Sequence, residues 1–410
     1  MDINIAAIEI KNTCFKLMIG YLYENRIDVL YNKTYPLTNT LKDGDISDLE
    51  SLTNDLKTIK TISDQQARLK IDINEVVLIL PPFGLEVFQT SKTTSTIDRD
   101  GKITKTDIAN VLNMVRKNKP ANENNLIADI IPSSFSCDDN QIYKEPPLGI
   151  VSNSLLIDAH VYTLPEKMVN NFKKAVIDAG YGIKRIVIAP LGVNTLLESE
   201  HFPTDRYVLV DYNKDNTTVS FFGNGKLYSS NYFDVGGEDI TVSIANNFEI
   251  SMEKAESIKK SYGVDLRENE YKPAILAVSS DDGIVRKYNV EEINEVVLSS
   301  LKDWAKLFNN SLSTLLNEYG NMKDDIPLVF IGGASKINGF KELMDDSFPN
   351  NKKTYYSYKT VGGNKPGDVN LLGAIAFGSI YKGSLEDESR IEIKQVSREE
   401  VKYSENIDEL

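Results

Sequence analysis

The chain has 410 residues, enough for two or three domains, and 46 basic against 60 acidic side chains give it a net charge of −14. This acidity disfavours nucleic acid as a partner, because a polyanion binds to a basic face. Two cysteines and two histidines disfavour a disulfide scaffold and a multi-histidine metal site, and they suit a reducing cytosol. The N-terminus lacks the basic segment of a signal peptide, and no apolar run approaches the ~18 residues of a membrane span. We therefore expect a cytoplasmic protein with large apolar cores.

The first 80 residues alternate apolar stretches with short polar turns. This pattern predicts strands over 3–10, 15–22 and 27–31, a helix over 46–59 and a strand over 75–80.

The same order recurs about 200 residues later, with predicted strands at 207–210, 219–222 and 227–233 and a helix from 238. Each copy opens with an apolar strand that ends near a carboxylate, Glu9 or Asp211. The repetition predicts an α/β fold with two duplicated halves around a central cleft, where ligands of open α/β sheets bind. A chance recurrence of a common three-strand meander is the alternative.

A separate subdomain interrupts the first half. Strands at 86–97, 126–131 and 155–162 and a helix at 104–117 predict a small inserted α/β unit. Helices are also predicted at 167–179, 251–262, 290–319 and 371–381, and strands at 183–189 and 328–331. The predicted organisation is therefore a first half in two parts (1–81 and 164–206), an insert (82–163), a second half (207–384) and an acidic flexible tail (385–410).

This order of features resembles the actin-like ATPase superfamily, whose domains are ribonuclease H-like, and most closely the bacterial cell-division actin family FtsA. Residues 329–340, which contain Gly332, Gly333 and Ala334, resemble the adenosine segment of that family. Residues 234–241, which contain Gly236 and Gly237, are similar to its Gly-Gly turn. The insert resembles the subdomain that distinguishes FtsA, although pilus-assembly relatives share it.

The resemblance also implies roles for two charged residues on the helix at 251–262. Glu256 and Lys259 would border the ribose and the base. From the sequence alone, a solvated pair three residues apart on a helix surface is the favoured alternative.

The two segments that resemble phosphate loops lack the glycines of the family. The first reads Glu9-Ile10-Lys11-Asn12-Thr13, with Lys11 in place of glycine, and residues 211–217 of the second contain no glycine. By resemblance, Glu9, Asn12, Thr13, Asp211 and Asn213 would face the phosphates, and Asp211 would hold Mg²⁺. A strand-end Asp211 that caps a turn is the equal alternative. Glycine permits positive φ and close backbone approach to phosphate, so we expect a weakened or lost site with no catalytic residue.

The resemblance implies ATP and Mg²⁺ as cofactors, whereas the altered loops leave open that the chain binds neither. We expect a cell-division scaffold, a degenerate ATPase that self-associates and links the tubulin-like protein FtsZ to other division proteins. The alternatives are an active ATP-binding filament protein and a pilus-assembly scaffold of the same fold.

The predicted tail bears on how the chain reaches the membrane. Residues 385–410 are acidic and lack a basic amphipathic face, so we expect no direct membrane helix. We therefore expect the chain to reach the division site, on the inner face of the membrane, through partners.

Overall fold

The structure is a computed structural model that describes residues 4–23, 26–37, 41–42, 44–64, 69–118, 120–138, 141–202, 204–264, 274–279, 285–317, 325–358 and 368–380. The chain forms two compact units. The first comprises Met1–Gly84 and Asn171–Ala376, and the second comprises Leu85–Asn170 and Phe377–Leu410.

The helices and strands run as follows. Before residue 100 they are β1 (Ile5–Ile10), β2 (Cys14–Tyr23), β3 (Arg26–Pro36), β4 (Leu41–Lys42), β5 (Asp45–Ile46), α1 (Leu49–Lys57), β6 (Thr61–Asp64), β7 (Leu69–Asp72), β8 (Glu75–Leu80) and β9 (Glu86–Ser95). From there to residue 212 they are α2 (Lys105–Arg116), β10 (Asn125–Cys137), β11 (Ile142–Tyr143), β12 (Ser154–Pro165), α3 (Glu166–Asp178), β13 (Gly182–Ile188), α4 (Ala189–Ser199) and β14 (Arg206–Tyr212). The remainder are β15 (Thr217–Gly223), β16 (Lys226–Phe233), α5 (Gly237–Phe248), α6 (Met252–Tyr262), β17 (Ala274–Ser279), β18 (Val285–Asn289), α7 (Val290–Asn317), β19 (Leu328–Ile331), α8 (Phe340–Ser347), β20 (Lys353–Tyr355) and α9 (Val369–Ile380).

Two sheets of the first unit share one topology. The first runs β13-β8-β1-β2-β3 and the second runs β16-β15-β14-β19-β20. In each, three antiparallel strands in sequence order are followed by a strand parallel to the first of them. We call the parts of the chain built on these sheets the first lobe and the second lobe. The predicted duplicated α/β fold is confirmed.

Apolar burial explains why β1 and β14 lie in the middle of their sheets. Every residue of β1 is buried, and so are all residues of β14 after its first. Strands covered on both faces favour near-continuous apolar sequences, which is the pattern that both segments show. The long helix α7 packs its apolar stripe, including Trp304, into the core of the second lobe.

The second unit contains the insert. Its antiparallel sheet has the order β11-β10-β12-β9, and α2 packs on it through Ile108, Val111 and Val115. Helix α2 begins with a capping box in which Thr104 and Asp107 satisfy each other's backbone N–H groups. The insert is therefore a small α/β unit with its own core.

Several elements differ from their prediction. The strands predicted at 27–31 and 126–131 extend to Pro36 and Cys137. Helix α4, strand β20 and the hairpins β6-β7 and β17-β18 were not predicted. The predicted tail at 385–410 lies outside the described residues, and the domain boundaries remain predictions.

Helices α4 and α9 position the cleft between the lobes. They cross where a Cβ on Gly373 would lie 2.5 Å from the carbonyl carbon of Gly192. Helix α9 also contacts the first lobe, since a Cβ on Gly20 would lie 3.2 Å from Ile375 Cδ1. Among the helices in the described part of the chain, none combines the length and the apolar character needed to cross a membrane.

Candidate functional site

Two buried carboxylates mark equivalent positions in the two lobes. Glu9 is the penultimate residue of β1, and Asp211 is the penultimate residue of β14. Their exposed fractions are only 5% and 7%. Because buried carboxylates need compensating partners, the groups around them define the chemistry of this cleft.

Asn370, near the start of α9, joins the two carboxylates. Its Nδ2 donates to Glu9 Oε1 at 2.8 Å and to Asp211 Oδ2 at 2.9 Å. Sequence reasoning missed this residue. The available signal was a single amide at the start of an apolar helix, since a buried polar side chain is nearly always hydrogen-bonded.

Lys11 also crosses from the first lobe to the second. Its Nζ donates to Asn213 Oδ1 at 2.9 Å and lies 3.2 Å from Glu9 Oε1. Burial alone would lower the pKa of Lys11, but the charges of Glu9 and Asp211 outweigh burial and raise it. Lys11 is therefore a cation held between two acidic groups.

The loops after β1 and β14 form turns without glycine. Among the described residues, the non-glycine residues with positive φ are His201, Asn224 and Glu249, so neither loop adopts that conformation. The Lys11 N–H donates to Cys14 O at 2.8 Å, and the Asn213 N–H donates to Asn216 O at 2.9 Å. These donors are satisfied within their own turns.

Asn12 and Thr13, both predicted to face phosphate, bond to the segment that follows β3. Asn12 Oδ1 accepts from the Leu41 N–H at 3.3 Å, and Thr13 O accepts from the Leu37 N–H at 2.8 Å. The structure therefore gives both residues a local bonding role.

Gly236 and Gly237 lie against the second loop. A Cβ on Gly236 would lie 2.2 Å from Lys214 O, so this approach requires glycine. The Gly237 N–H donates to Asn213 O at 2.9 Å, and the Glu238 N–H donates to Lys214 O at 2.8 Å. The first N–H groups of α5 thus donate to carbonyls of the chain.

The segment after β19 lies beside the second loop and beside the start of α5. Gly332 has φ +89°, and a Cβ on it would lie 2.3 Å from Tyr212 O. A Cβ on Gly237 would lie 3.0 Å from Ala334 Cβ, which places Ala334 next to the start of α5. Gly333 is exposed, and no atom lies within 4 Å of its Cβ position.

Lys259, which is buried, and Glu256, which is half-buried, form a hydrogen-bonded network next to Gly237. Lys259 Nζ donates to Gly237 O and Thr241 Oγ1, each at 2.7 Å, and to Glu256 Oε2 at 2.5 Å. These acceptors use all three N–H groups of the ammonium. The solvated-pair interpretation is wrong for Lys259, whose exposed fraction is 5%.

The pKa values of this pair follow from its surroundings. Burial lowers the pKa of Lys259, despite its ion pair with Glu256. Burial would raise the pKa of Glu256, but hydrogen bonds from Lys259 and Thr241, together with nearby positive charge, lower it to about 2. Glu256 is therefore ionised at neutral pH.

A small cavity lies beside Asp211. The cavity has room for about one water molecule. Its lining comprises Ala189, Pro190, Leu209, Asp211, Thr218, Ser220, Ile331 and Asn370. The described residues contain no cluster of three or more Asp, Glu, His or Cys suited to a metal, but a nucleotide-bound Mg²⁺ needs no such cluster, because phosphates and waters supply most of its ligands. A metal-bound triphosphate at Glu9 and Asp211 would have to displace the hydrogen bonds from Asn370 and the ammonium of Lys11.

Duplicated lobes with a shared topology, carboxylates at equivalent strand ends and an inserted α/β unit define an actin-like protein. A family model described as "Cell division protein FtsA" matches residues 208–366, and one described as "SHS2 domain inserted in FTSA" matches residues 86–163. Together the two matches cover more than half of the chain. The chain belongs to the FtsA family.

Curated relatives agree with this assignment. The chain is 26% identical to the cell division protein FtsA of Staphylococcus epidermidis over 348 residues, which cover 83% of this chain and 71% of the relative. It is 23% identical to FtsA of Enterococcus faecalis over 378 residues, which cover 91% and 82% of the two chains.

Solved structures support the fold alone. A chain of the PilM–PilN type IV pilus biogenesis complex aligns with a TM-score of 0.59 and 15% identity, covering 92% of this chain and 98% of that chain. MreB5 of Spiroplasma citri, solved with ADP, aligns with a TM-score of 0.51 and 14% identity, covering 94% and 98%.

Proposed function

We propose that this chain is a cell-division scaffold that self-associates and links FtsZ to other division proteins at the division site. The observation that carries the proposal is membership of the FtsA family across both the second lobe and the insert. The likeness to PilM concerns the fold, so it gives no separate support to a pilus role.

The contacts within the cleft support the proposal that ATP hydrolysis is weak or lost. Hydrolysis requires a bound triphosphate with its metal beside Asp211, and Asn370 already donates to that carboxylate at 2.9 Å. Lys11 and Asn370 already bond to the carboxylate of Glu9. The proposed scaffold therefore depends on its surfaces and not on turnover.

An exposed apolar patch on the second unit supports self-association. Ile97, Ile142 and Val151 have exposed fractions of 63%, 77% and 69%. The segments of Ile97 and Val151 are adjacent, because Thr96 N–H donates to Asn153 O at 2.9 Å, and Ile142 lies on β11 at an edge of the same subdomain's sheet. Two copies that each carry a charge of −14 repel one another, so an uncharged face favours their contact.

The double variant Ile142→Asp/Val151→Asp is expected to lose self-association and to keep its affinity for FtsZ. Two charges at the centre of an apolar contact add desolvation cost and repulsion. Analytical ultracentrifugation across a concentration series measures self-association, and co-sedimentation with FtsZ polymers measures the link.

Leu307→Asp, at an exposed position on α7 of the first unit, is the matched control and is expected to behave like the wild type. A wild-type chain that stays monomeric and fails to sediment with FtsZ would contradict the proposed function. Self-association unchanged in the double variant would contradict the role of the patch alone.

A further inference from the structure

In the cleft between the lobes, polar side chains of the chain itself form hydrogen bonds from one lobe to the other. Lys11 lies in the first lobe, and its hydrogen-bond acceptor Asn213 lies 202 positions later in the second. Asn370 donates one N–H to a carboxylate of each lobe. Within the cleft, two side chains thus contact carboxylates or amides of both lobes, one cationic and one neutral. Outside it, the Ile27 N–H donates to Tyr358 Oη at 2.7 Å, so the lobes also meet beyond this set.

Lys11 compensates the negative charges of Glu9 and Asp211. Glu9 and Asp211 both accept from the same Nδ2 of Asn370, so two buried negative charges lie close together. Among the described residues, none forms a hydrogen bond with Glu9 Oε2, which is buried. Two unpaired buried carboxylates repel strongly, and Lys11 is the cation that compensates them.

Four backbone N–H groups around this set already have acceptors within the chain. The N–H groups of Lys11, Asn213, Gly237 and Glu238 all donate to carbonyls of the chain. One N–H of each loop is therefore satisfied within its own turn, and the Lys11 ammonium lies between the loops. A bound metal with an anion would have to displace contacts that are already satisfied.

We infer that Lys11, with Asn370, acts as a built-in clamp that holds the two lobes of the first unit together without a nucleotide. The ammonium supplies the positive charge that a bound cation would otherwise bring to Glu9 and Asp211. This inference concerns the cleft alone, and it stands whether or not the chain acts in division. The distance between the lobes is then a property of the sequence and not of ligand occupancy.

Pulsed electron paramagnetic resonance can measure the distance between the lobes in the full chain. Unnatural amino acids carry spin labels at Glu50 on α1 and Glu253 on α6, both exposed, so Cys14 and Cys137 stay in place. The wild type is expected to give one narrow distance distribution that millimolar ATP and Mg²⁺ leave unchanged. Lys11→Met, which keeps a side chain of similar length without its charge, is expected to broaden and lengthen the distribution.

Two control variants distinguish the loss of the Lys11 charge from a general loss of structure. Lys11→Arg keeps the cation and is expected to restore the narrow distribution. Lys214→Met removes a half-exposed lysine that pairs with Glu238 within one lobe, and it is expected to match the wild type.

Two results would overturn the inference: a Lys11→Met distribution identical to the wild type, or a broad wild-type distribution that narrows on addition of ATP and Mg²⁺. If Lys11→Met does not fold, Asn213→Ala removes the partner of Lys11 on the second lobe and leaves the charges balanced. For Asn213→Ala, a distance distribution identical to the wild type would likewise overturn the inference.

Discussion

Replacing Gly373 with alanine is expected to lower the free energy of unfolding by about 3 kcal/mol, the upper end for overpacking a tight contact. Its Cβ would lie 2.5 Å from the carbonyl carbon of Gly192 and 2.7 Å from the N atom of Val193. Both are backbone atoms, so no side chain can rotate away. Helices α4 and α9 would have to separate, and Asn370 on α9 would move with them.

Urea unfolding followed by the fluorescence of Trp304, the single tryptophan, measures this effect. Gly333→Ala is the matched control, because its φ is −69° and no atom lies within 4 Å of the new Cβ. It is expected to unfold at the same urea concentration as the wild type. A Gly373→Ala chain with wild-type stability would show that the helix crossing is not tight.

Trp304→Ala is expected to cost about 3–5 kcal/mol, the range for removing a large buried aromatic side chain. The ring stacks on Tyr212 at 4.4 Å between centroids and contacts Phe308 at 5.3 Å. Its Nε1 donates to Thr217 Oγ1 at 2.9 Å. The substitution thus leaves a large cavity and an unpaired acceptor in the core of the second lobe.

Circular dichroism during urea unfolding provides the measurement, since the variant lacks the fluorophore. Leu307→Ala on the same helix is the control, and its exposed position predicts a change within about 0.5 kcal/mol. Equal losses in the two variants would contradict the assignment of Trp304 to the core.

The sequence was most informative where local pattern and tertiary environment agree. The strands at 75–80 and 328–331 have their predicted bounds, because short apolar runs flanked by polar or turn residues are typical of buried strands. The duplication was readable because the order of elements repeats, although the two copies share few identical residues.

Helix α4 shows why some elements could not be predicted. Residues Pro190–Leu197 are all buried, and a helix covered on every side has no polar face to reveal its period. Strand β20 has three residues at a sheet edge, Lys353–Tyr355, too few for an alternating pattern. In both cases the tertiary contacts, and not the local sequence, determine the structure.

The candidate site was predictable in its carboxylates but not in its contacts. Glu9 and Asp211 end equivalent apolar strands, so their positions follow from the repeat. The Lys11–Asn213 contact joins residues 202 positions apart, and no local pattern encodes such a pair. Lys259 was misjudged because spacing along a helix does not show which neighbour covers its surface.

If the side chains of Lys11 and Asn370 take the place of a metal-bound phosphate group between Glu9 and Asp211, the wild-type chain has no site for ATP with Mg²⁺ there. Isothermal titration calorimetry of the intact wild-type chain with ATP and Mg²⁺ is then expected to show no saturable heat of binding. A saturable heat that disappears in Asp211→Ala would contradict this role of Lys11 and Asn370, because such a result would place a metal-bound nucleotide at the Asp211 carboxylate.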